Sequence, residues 1–477
     1  MYYSLKSDCF FRRYGTIGHI CRPIIGIEQI FDEYGCIFLE CLGYSPLSLD
    51  EITNRILQSL EGDEVEVKKD ADTFYSALYE DGFLNKGKTI EETKDAGFSY
   101  STLKGRQYRD FSEKAKNSSA SYLVEYSKKY PFLQTFHIEL TSKCNERCIH
   151  CYIPHEKKDT DIEYDLMMDV LDQCKSLNVM NLIFSGGEAM LHPSFCDFLI
   201  RAKDLDFNVT VLTNLTLLND DIIAALKYKH IAGVNVSLYS MDPQVHDSIT
   251  CIKGSFQKTK SNILRLIYNN VPVQINCPIM TQNKTSFYEV IKWGQDNKCA
   301  VITDYIIMAR YDRTNDNLEN RLRKDDIKSV IEKIAEYSIP FQENIENNNG
   351  IAECRLGGAQ PEERICGVAL STMCMVSNGN VFPCPGWQQY VCGNVRESSL
   401  KELWLNSKAI NYLRTIRVKD FKKCVGCEDY EYCLMCVGQN YNESKDGSLF
   451  DIPQITCDAA RINHFIVQEL RQHTSKT

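Results

Sequence analysis

Cys144-Asn145-Glu146-Arg147-Cys148-Ile149-His150-Cys151-Tyr152 comes straight after a segment in which Phe136, Ile138 and Leu140 alternate with polar residues. That period of two is the signature of a strand with one face in a core, so the three cysteines fall in a loop at its carboxyl end. Three thiols this close cannot complete a four-ligand zinc site unless His150 or His155 joins them. On a four-iron cluster the same three leave one iron open to bind a further molecule. The ends of the following strands separate the two readings.

Residues 182–184, 209–212, 234–238, 273–279 and 301–307 are further short apolar runs, with helical stretches such as 222–226 and 263–267 between them. Strands alternating with helices predict parallel βαβ units with right-handed crossovers. Six such units predict an α/β fold, a partial (β/α)6 barrel of the TIM type, whose ligands bind at the carboxyl ends of the strands. Ser185-Gly186-Gly187-Glu188 ends the second run. Paired glycines let backbone approach a ligand, and Glu188 offers a carboxylate to an ammonium group. Thr213-Asn214 ends the third run and Ser237 the fourth. Polar groups at successive strand ends, beside three thiols, favour the open cluster.

The chain has 477 residues and a net charge of −10, which makes duplex nucleic acid and anionic membrane poor partners. No apolar stretch approaches the ~18 residues of a membrane span. The first eight residues lack the basic and apolar regions of a signal peptide, so a cytoplasmic location is expected. The 22 cysteines are the outlier. A reducing compartment would not keep them as structural disulfides. Cys9, Cys21, Cys36, Cys41, Cys174, Cys196, Cys251, Cys277, Cys299 and Cys354 are scattered singly, mostly as small core residues. The others form the run at 144–151 and a second group near the end, Cys366, Cys374, Cys384, Cys392, Cys424, Cys427, Cys433, Cys436 and Cys457.

Residues 1–90 read as a small α+β unit resembling a winged helix, with extended segments at 2–11 and 18–24 before two helices. Ser48-Leu49-Asp50-Glu51 is a capping box for the first helix. The second is expected from about Asp72, with Gly82 just past its end. Nine basic against fifteen acidic residues here argue against DNA. Residues 91–131 read as a linker carrying some helix, 132–345 as the barrel, with a charged helical connection over about 321–349, and 346–477 as a cysteine-rich tail.

The barrel segment resembles the radical S-adenosylmethionine (SAM) enzymes over roughly residues 132–310. The resemblance implies that Cys144, Cys148 and Cys151 hold a 4Fe–4S cluster whose open iron is chelated by SAM. Tyr152 would lie near the adenine, Gly186, Gly187 and Glu188 at the methionine amino group, and Asn214 and Ser237 at the ribose and carboxylate region. Two departures stand out. Thr213-Asn214-Leu215 replaces the usual TNG, and the segment from His246 to Phe256 has Thr250-Cys251 where the family carries Arg-Gly, with Lys253 nearby.

The tail resembles the SPASM domain. The resemblance implies two auxiliary 4Fe–4S clusters, one on Cys366, Cys374, Cys384 and Cys436 and one on Cys424, Cys427, Cys433 and Cys457, with Cys392 an alternative to Cys374. Asn378-Gly379-Asn380 reads as a hairpin turn. Taken alone, the pairs Cys424-x2-Cys427 and Cys433-x2-Cys436 also suit a zinc knuckle. Residues 1–90 resemble the small PqqD-like domains that recognise the leader of a ribosomally made precursor peptide, with Phe83-Leu84 matching the end of that module. Together these resemblances imply a SAM-dependent peptide-modifying oxidoreductase. It would form a cross-link by hydrogen abstraction, with a precursor peptide and a flavodoxin- or ferredoxin-type electron donor as partners. A sulfatase-maturing, formylglycine-generating enzyme is the rival in the same fold, and an iron–sulfur transcriptional sensor the rival from another class. Which residue is the catalytic acid or base is not legible.

Overall fold

The computed structural model describes residues 1–94, 119–338, 341–342, 361–362, 364 and 366–474. Cys354, most of the expected linker and the start of the expected tail unit lie outside them. The amino-terminal unit contains β1 (Tyr2–Leu5), β2 (Phe10–Tyr14), β3 (Ile17–Arg22), β4 (Ile27–Phe31), α1 (Glu33–Glu40), β5 (Leu47–Ser48), α2 (Leu49–Leu57), α3 (Glu64–Glu80) and β6 (Leu84–Gly87). Its strands form two small antiparallel sheets, β5-β1-β6 and β2-β3-β4. Ser48 and Glu51 form the capping box, the Ser48 Oγ accepting from the Glu51 amide and the Glu51 carboxylate from that of Ser48. Such a cap stabilises a helix by about 1 kcal/mol.

α3 begins at Glu64, eight residues before the expected start. Asp63 caps it, and its first turns are too charged to show an apolar stripe. Gly82, at φ +88°, lets the chain reverse, and the Phe83 amide then donates to Leu78 O. The segment 2–11 divides into two strands at a turn closed by the Cys9 amide on Lys6 O. β4 and α1 carry no clear period in the sequence.

α4 (Ser119–Lys129) packs Leu123 against Tyr14 and Ile17. Then come β7 (Thr135–Thr141), α5 (Tyr164–Ser176), β8 (Asn181–Gly186), α6 (Phe195–Asp204), β9 (Asn208–Thr213), α7 (Asp220–Lys227), β10 (Gly233–Ser237), α8 (Pro243–Thr250), α9 (Ser255–Tyr268), β11 (Val273–Pro278), α10 (Phe287–Asp296), β12 (Ala300–Asp304) and α11 (Lys324–Tyr337). β7 to β12 are parallel and adjacent in chain order, an open six-stranded barrel sheet. Phe136, Ile138 and Leu140 are fully buried on its outer, helix-covered face.

The tail continues this sheet. β13 (Thr372–Met375) pairs in parallel with β7, and β14 (Asn380–Phe382) and β15 (Gly393–Asn394) follow antiparallel. The expected hairpin turn lies between β13 and β14, with Gly379 at φ +88°. α12 (Leu400–Asn406), α13 (Lys408–Leu413), α14 (Val437–Glu443) and α15 (Gln454–Thr474) complete the chain.

The amino-terminal unit docks on the opposite end of the barrel from the cysteine loop. Arg12 Nε donates to Val179 O at 3.0 Å and pairs with Asp206, and the Tyr44 hydroxyl donates to the same carboxylate at 2.6 Å. Val179 and Asp206 precede β8 and β9, so these contacts lie at the amino ends of the strands.

Candidate active site

Cys144, Cys148 and Cys151 are half-buried in the loop that leaves β7. Three sets of contacts shape that loop. The Arg147 and Ile149 amides donate to Thr250 O and Ile249 O at the end of α8, each at 3.0 Å. From the segment after β12, Asn317 Nδ2 donates to His150 O, Asn320 Nδ2 to Ile149 O and Arg310 Nη1 to Ile153 O. The Gly187 and Glu188 amides donate to Thr141 O and Lys143 O, each at 2.8 Å. The glycines thus make room for the loop itself. A Cβ on Gly186, at φ +145°, would meet Thr141 O at 2.0 Å, and one on Gly187 would meet Lys143 O at 2.3 Å.

The polar strand ends converge on this loop. Glu188 is buried, accepting from Thr213 Oγ1 and the Asn214 amide at 2.7 Å and from the Met190 amide at 3.1 Å. Burial raises its carboxyl pKa, and those three bonds oppose the rise. Asn214 Nδ2 donates to Asn145 Oδ1 at 2.9 Å, tying the third strand end to the cysteine loop. Ser237 bonds the Tyr239 side chain, whose hydroxyl lies 3.8 Å from Cys148 Sγ. The Lys158 ammonium lies 3.5 Å from Cys151 Sγ, and the Glu146 amide 3.4 Å from Cys144 Sγ.

Leu215 and Cys251, which stand where the resemblance carries glycine, both adopt positive φ, +63° and +57°. Left-handed backbone costs about 1–2 kcal/mol at a non-glycine residue. Leu215 is fully buried, and burying a leucine contributes about 1.5–3 kcal/mol. Lys253 is exposed, and it is the Lys158 ammonium that lies beside Cys151 Sγ.

Thiols must lose their protons to bind metal. Burial pushes Cys144 up to about 11 and Cys148 well above the ordinary value, with the neighbouring Glu146, Cys151 and Cys144 adding to the rise at Cys148. Among the described residues no three His, Cys, Asp or Glu side chains are gathered closely enough for a single metal ion.

Tyr152 turns into the barrel. Its hydroxyl donates to Glu139 Oε1 at 2.8 Å, and Gln388 Nε2 from the tail donates to the same oxygen at 3.0 Å. Glu139 is 3% exposed, and burial raises its carboxyl to about 7 against the opposing pull of those two bonds. His137, on the same inward face, bonds Ser185 and is held at about 4 by burial. Further round, Thr210, Asn235, Ser237, Gln274 and Asn276 face inward and stay half-exposed. A TIM barrel is filled by branched apolar side chains. The inward face of this one is polar.

In the tail, Cys384 feels Cys436 and Cys366 as neighbouring negative charges, and Cys374 feels Glu139 and Cys384. Cys457 lies within electrostatic reach of Cys427, and Cys433 within reach of Tyr305. The Cys427 amide donates to Cys424 O, closing that turn. Cys392 is a core residue whose Sγ lies 3.8 Å from Tyr390 O, and burial alone raises its thiol. The sequence reading missed Glu139, Tyr239, Lys158, Asn317 and Asn320. Only Glu139 left a signal, as an acid among the apolar residues of a strand.

Residues 138–294 match the model of the radical SAM superfamily, and residues 366–436 match SPASM, an iron–sulfur cluster-binding domain. The chain therefore carries a radical SAM domain followed by an SPASM domain, which together bring SAM and iron–sulfur chemistry. It is 24% identical over 329 residues to the AdoMet-dependent heme synthase of Methanosarcina barkeri, covering 65% of this chain and 92% of that protein. It is 23% identical over 346 residues to the antilisterial bacteriocin subtilosin biosynthesis protein AlbA of Bacillus subtilis, covering 69% and 73%. In fold it resembles Streptococcus suis SuiB bound to precursor peptide SuiA, with a TM-score of 0.60, 16% identity and coverage of 95% of this chain and 99% of that one.

Proposed function

We propose that the chain is a peptide maturase that holds the leader of a ribosomally made precursor on its amino-terminal unit and modifies an unactivated carbon of that peptide in the barrel lumen. Cys144, Cys148 and Cys151 hold an open 4Fe–4S cluster. Gly186, Gly187, Glu188, Asn214 and Ser237 surround SAM, with Tyr152 beside it. Cys366, Cys374, Cys384 and Cys436, and Cys424, Cys427, Cys433 and Cys457, hold two auxiliary clusters, and a flavodoxin- or ferredoxin-type protein supplies electrons. SAM bound at the reduced cluster supplies a 5′-deoxyadenosyl radical, the agent of hydrogen abstraction.

The observation that carries this reading is the polar inward face of the barrel, on which Glu139 is bonded both to Tyr152 of the cysteine loop and to Gln388 of the tail. The inward polar residues suit a polar chain, and burial raises the Glu139 carboxyl to about 7, in the range where a carboxyl can exchange a proton at neutral pH. Support for the peptide also comes from the fold likeness to SuiB, which extends over the amino-terminal unit, whereas the heme synthase likeness covers 65% of this chain. A leader held at the far end of the barrel must span strands of five to seven residues. At ~3.3 Å per residue that is about 20 Å, so the modified residue lies at least about six residues beyond the leader. Tethering of this kind raises the effective concentration of the core peptide.

The test is anaerobic reconstitution with SAM, dithionite and a candidate precursor peptide sought among the short reading frames beside this chain's gene. A mass change in that peptide, lost in Cys148→Ala, is expected. Filled clusters without 5′-deoxyadenosine would overturn the reading. Formylglycine in a sulfatase peptide, with the precursor unchanged, would favour the sulfatase-maturing enzyme.

A further inference from the structure

In a chain of net charge −10, residues 408–423 carry six basic side chains against the single carboxylate of Asp420. The segment runs from α13 directly into Cys424. Arg414 and Arg417 are spent on the fold, donating to Ala369 O and to Arg414 O. Asp420 accepts from the Arg417 amide, and Lys419 pairs with Glu362 at the rim. Lys408, Lys422 and Lys423 are exposed and make no ion pair among the described residues.

Lys422 and the paired Lys419 line a surface cavity of about 490 Å³ together with Tyr412, Thr415, Ile416, Asp420 and Phe450, and Lys423 follows Lys422 in the chain. Tyr412 is 49% and Phe450 38% exposed. Phe450 meets the buried Phe421 at 5.0 Å between ring centres, and Phe421 O accepts the Cys424 amide at 2.8 Å. One aromatic side chain thus separates the cavity from the Cys424 turn. Lys423, next to Cys424 in the chain, and Arg461 act electrostatically on the half-buried thiol of Cys457.

From this juxtaposition of a lysine-rimmed, aromatic cavity and the Cys424–Cys427–Cys457 thiols, we infer that the face is the docking site of a small acidic electron-carrier protein. The inference rests on the function proposed above and adds where electrons enter. Unpaired lysines around an apolar centre attract an acidic partner and orient it. The carrier is oxidised by one electron and the thiolate-bound iron centre reduced by one, with no covalent bond made or broken.

The experiment measures binding of a flavodoxin and, separately, of a bacterial ferredoxin to the reconstituted full chain by calorimetry at rising salt. Affinity falling with salt, and weakened about tenfold or more by Lys422→Glu/Lys423→Glu but not by Lys258→Glu on the outer face of α9, is expected for close charge pairs. SAM cleavage driven by dithionite, which needs no docked protein, should be equal in wild type and double variant, while carrier-driven cleavage falls in the variant. Loss of dithionite-driven cleavage in wild type would defeat the proposed function. Equal carrier affinity in the double variant, no binding of either carrier, or loss of precursor-peptide binding in its place would overturn the docking site.

Discussion

The thiols of the barrel loop and those of the tail are assembled in opposite ways. Cys144, Cys148 and Cys151 lie within one loop, and their conformation is imposed by carbonyl clamps from Asn317, Asn320 and Arg310 and by the close approach of Gly186-Gly187. The tail thiols are drawn from a strand, a hairpin, several turns and a long helix between Cys366 and Cys457, so they meet only once those elements have packed. A site local in sequence can lose a ligand while the fold survives. A dispersed one ties metal binding to folding.

The largest expected effect breaks the barrel site alone. Cys148→Ala should abolish 5′-deoxyadenosine formation while iron and sulfide at the tail persist, as counted in reconstituted protein. Next comes a glycine in each region. Gly187→Ala drives a methyl into Lys143 O and should destabilise by more than ~3 kcal/mol with loss of barrel-loop iron, since backbone would have to move. Gly426→Ala in the tail, at φ +73° with open space around its Cβ, should cost only about 1 kcal/mol. Thermal melts of the two variants compare them directly.

Within the tail, Cys374→Ala should lower the iron count and Cys392→Ala should leave it unchanged, because only Cys374 lies beside another of the grouped thiols. The smallest effect concerns Glu139, which joins the two regions. Its carboxyl is raised from 4.5 to about 7. Between those values the folded chain keeps a proton that the unfolded chain has lost, so stability falls as pH rises through the window. Glu139→Gln removes that loss, and its melting temperature relative to wild type should rise from pH 5 to pH 8. Glu146, also raised to about 7, acts in the same sense and leaves a residual slope in the variant.

Much of the barrel was legible because six apolar runs alternate with helical stretches and the first four end in thiol or polar groups, and each run proved to be a strand in chain order. The capping box of α2 and the turn at Gly379 were legible because their chemistry is local. The early start of α3 was hidden by its charged first turns, and β4 and α1 by their lack of a period. A second role of Gly186-Gly187, in packing, was hidden for a physical reason. A pair of glycines announces a close approach without saying what approaches, and here it is the backbone of Thr141–Lys143.

The sequence by itself determined the covalent spacing of the thiols, the alternation of strand and helix, and the polar strand ends, because each is set by neighbours along the chain. Only the tertiary structure decided that β13 extends the barrel sheet at β7, that Glu139 receives bonds from both Tyr152 and Gln388, and that the amino-terminal unit sits at the far end of the barrel. Those relations join residues up to about 250 positions apart, and long-range packing, which no local pattern encodes, selects them.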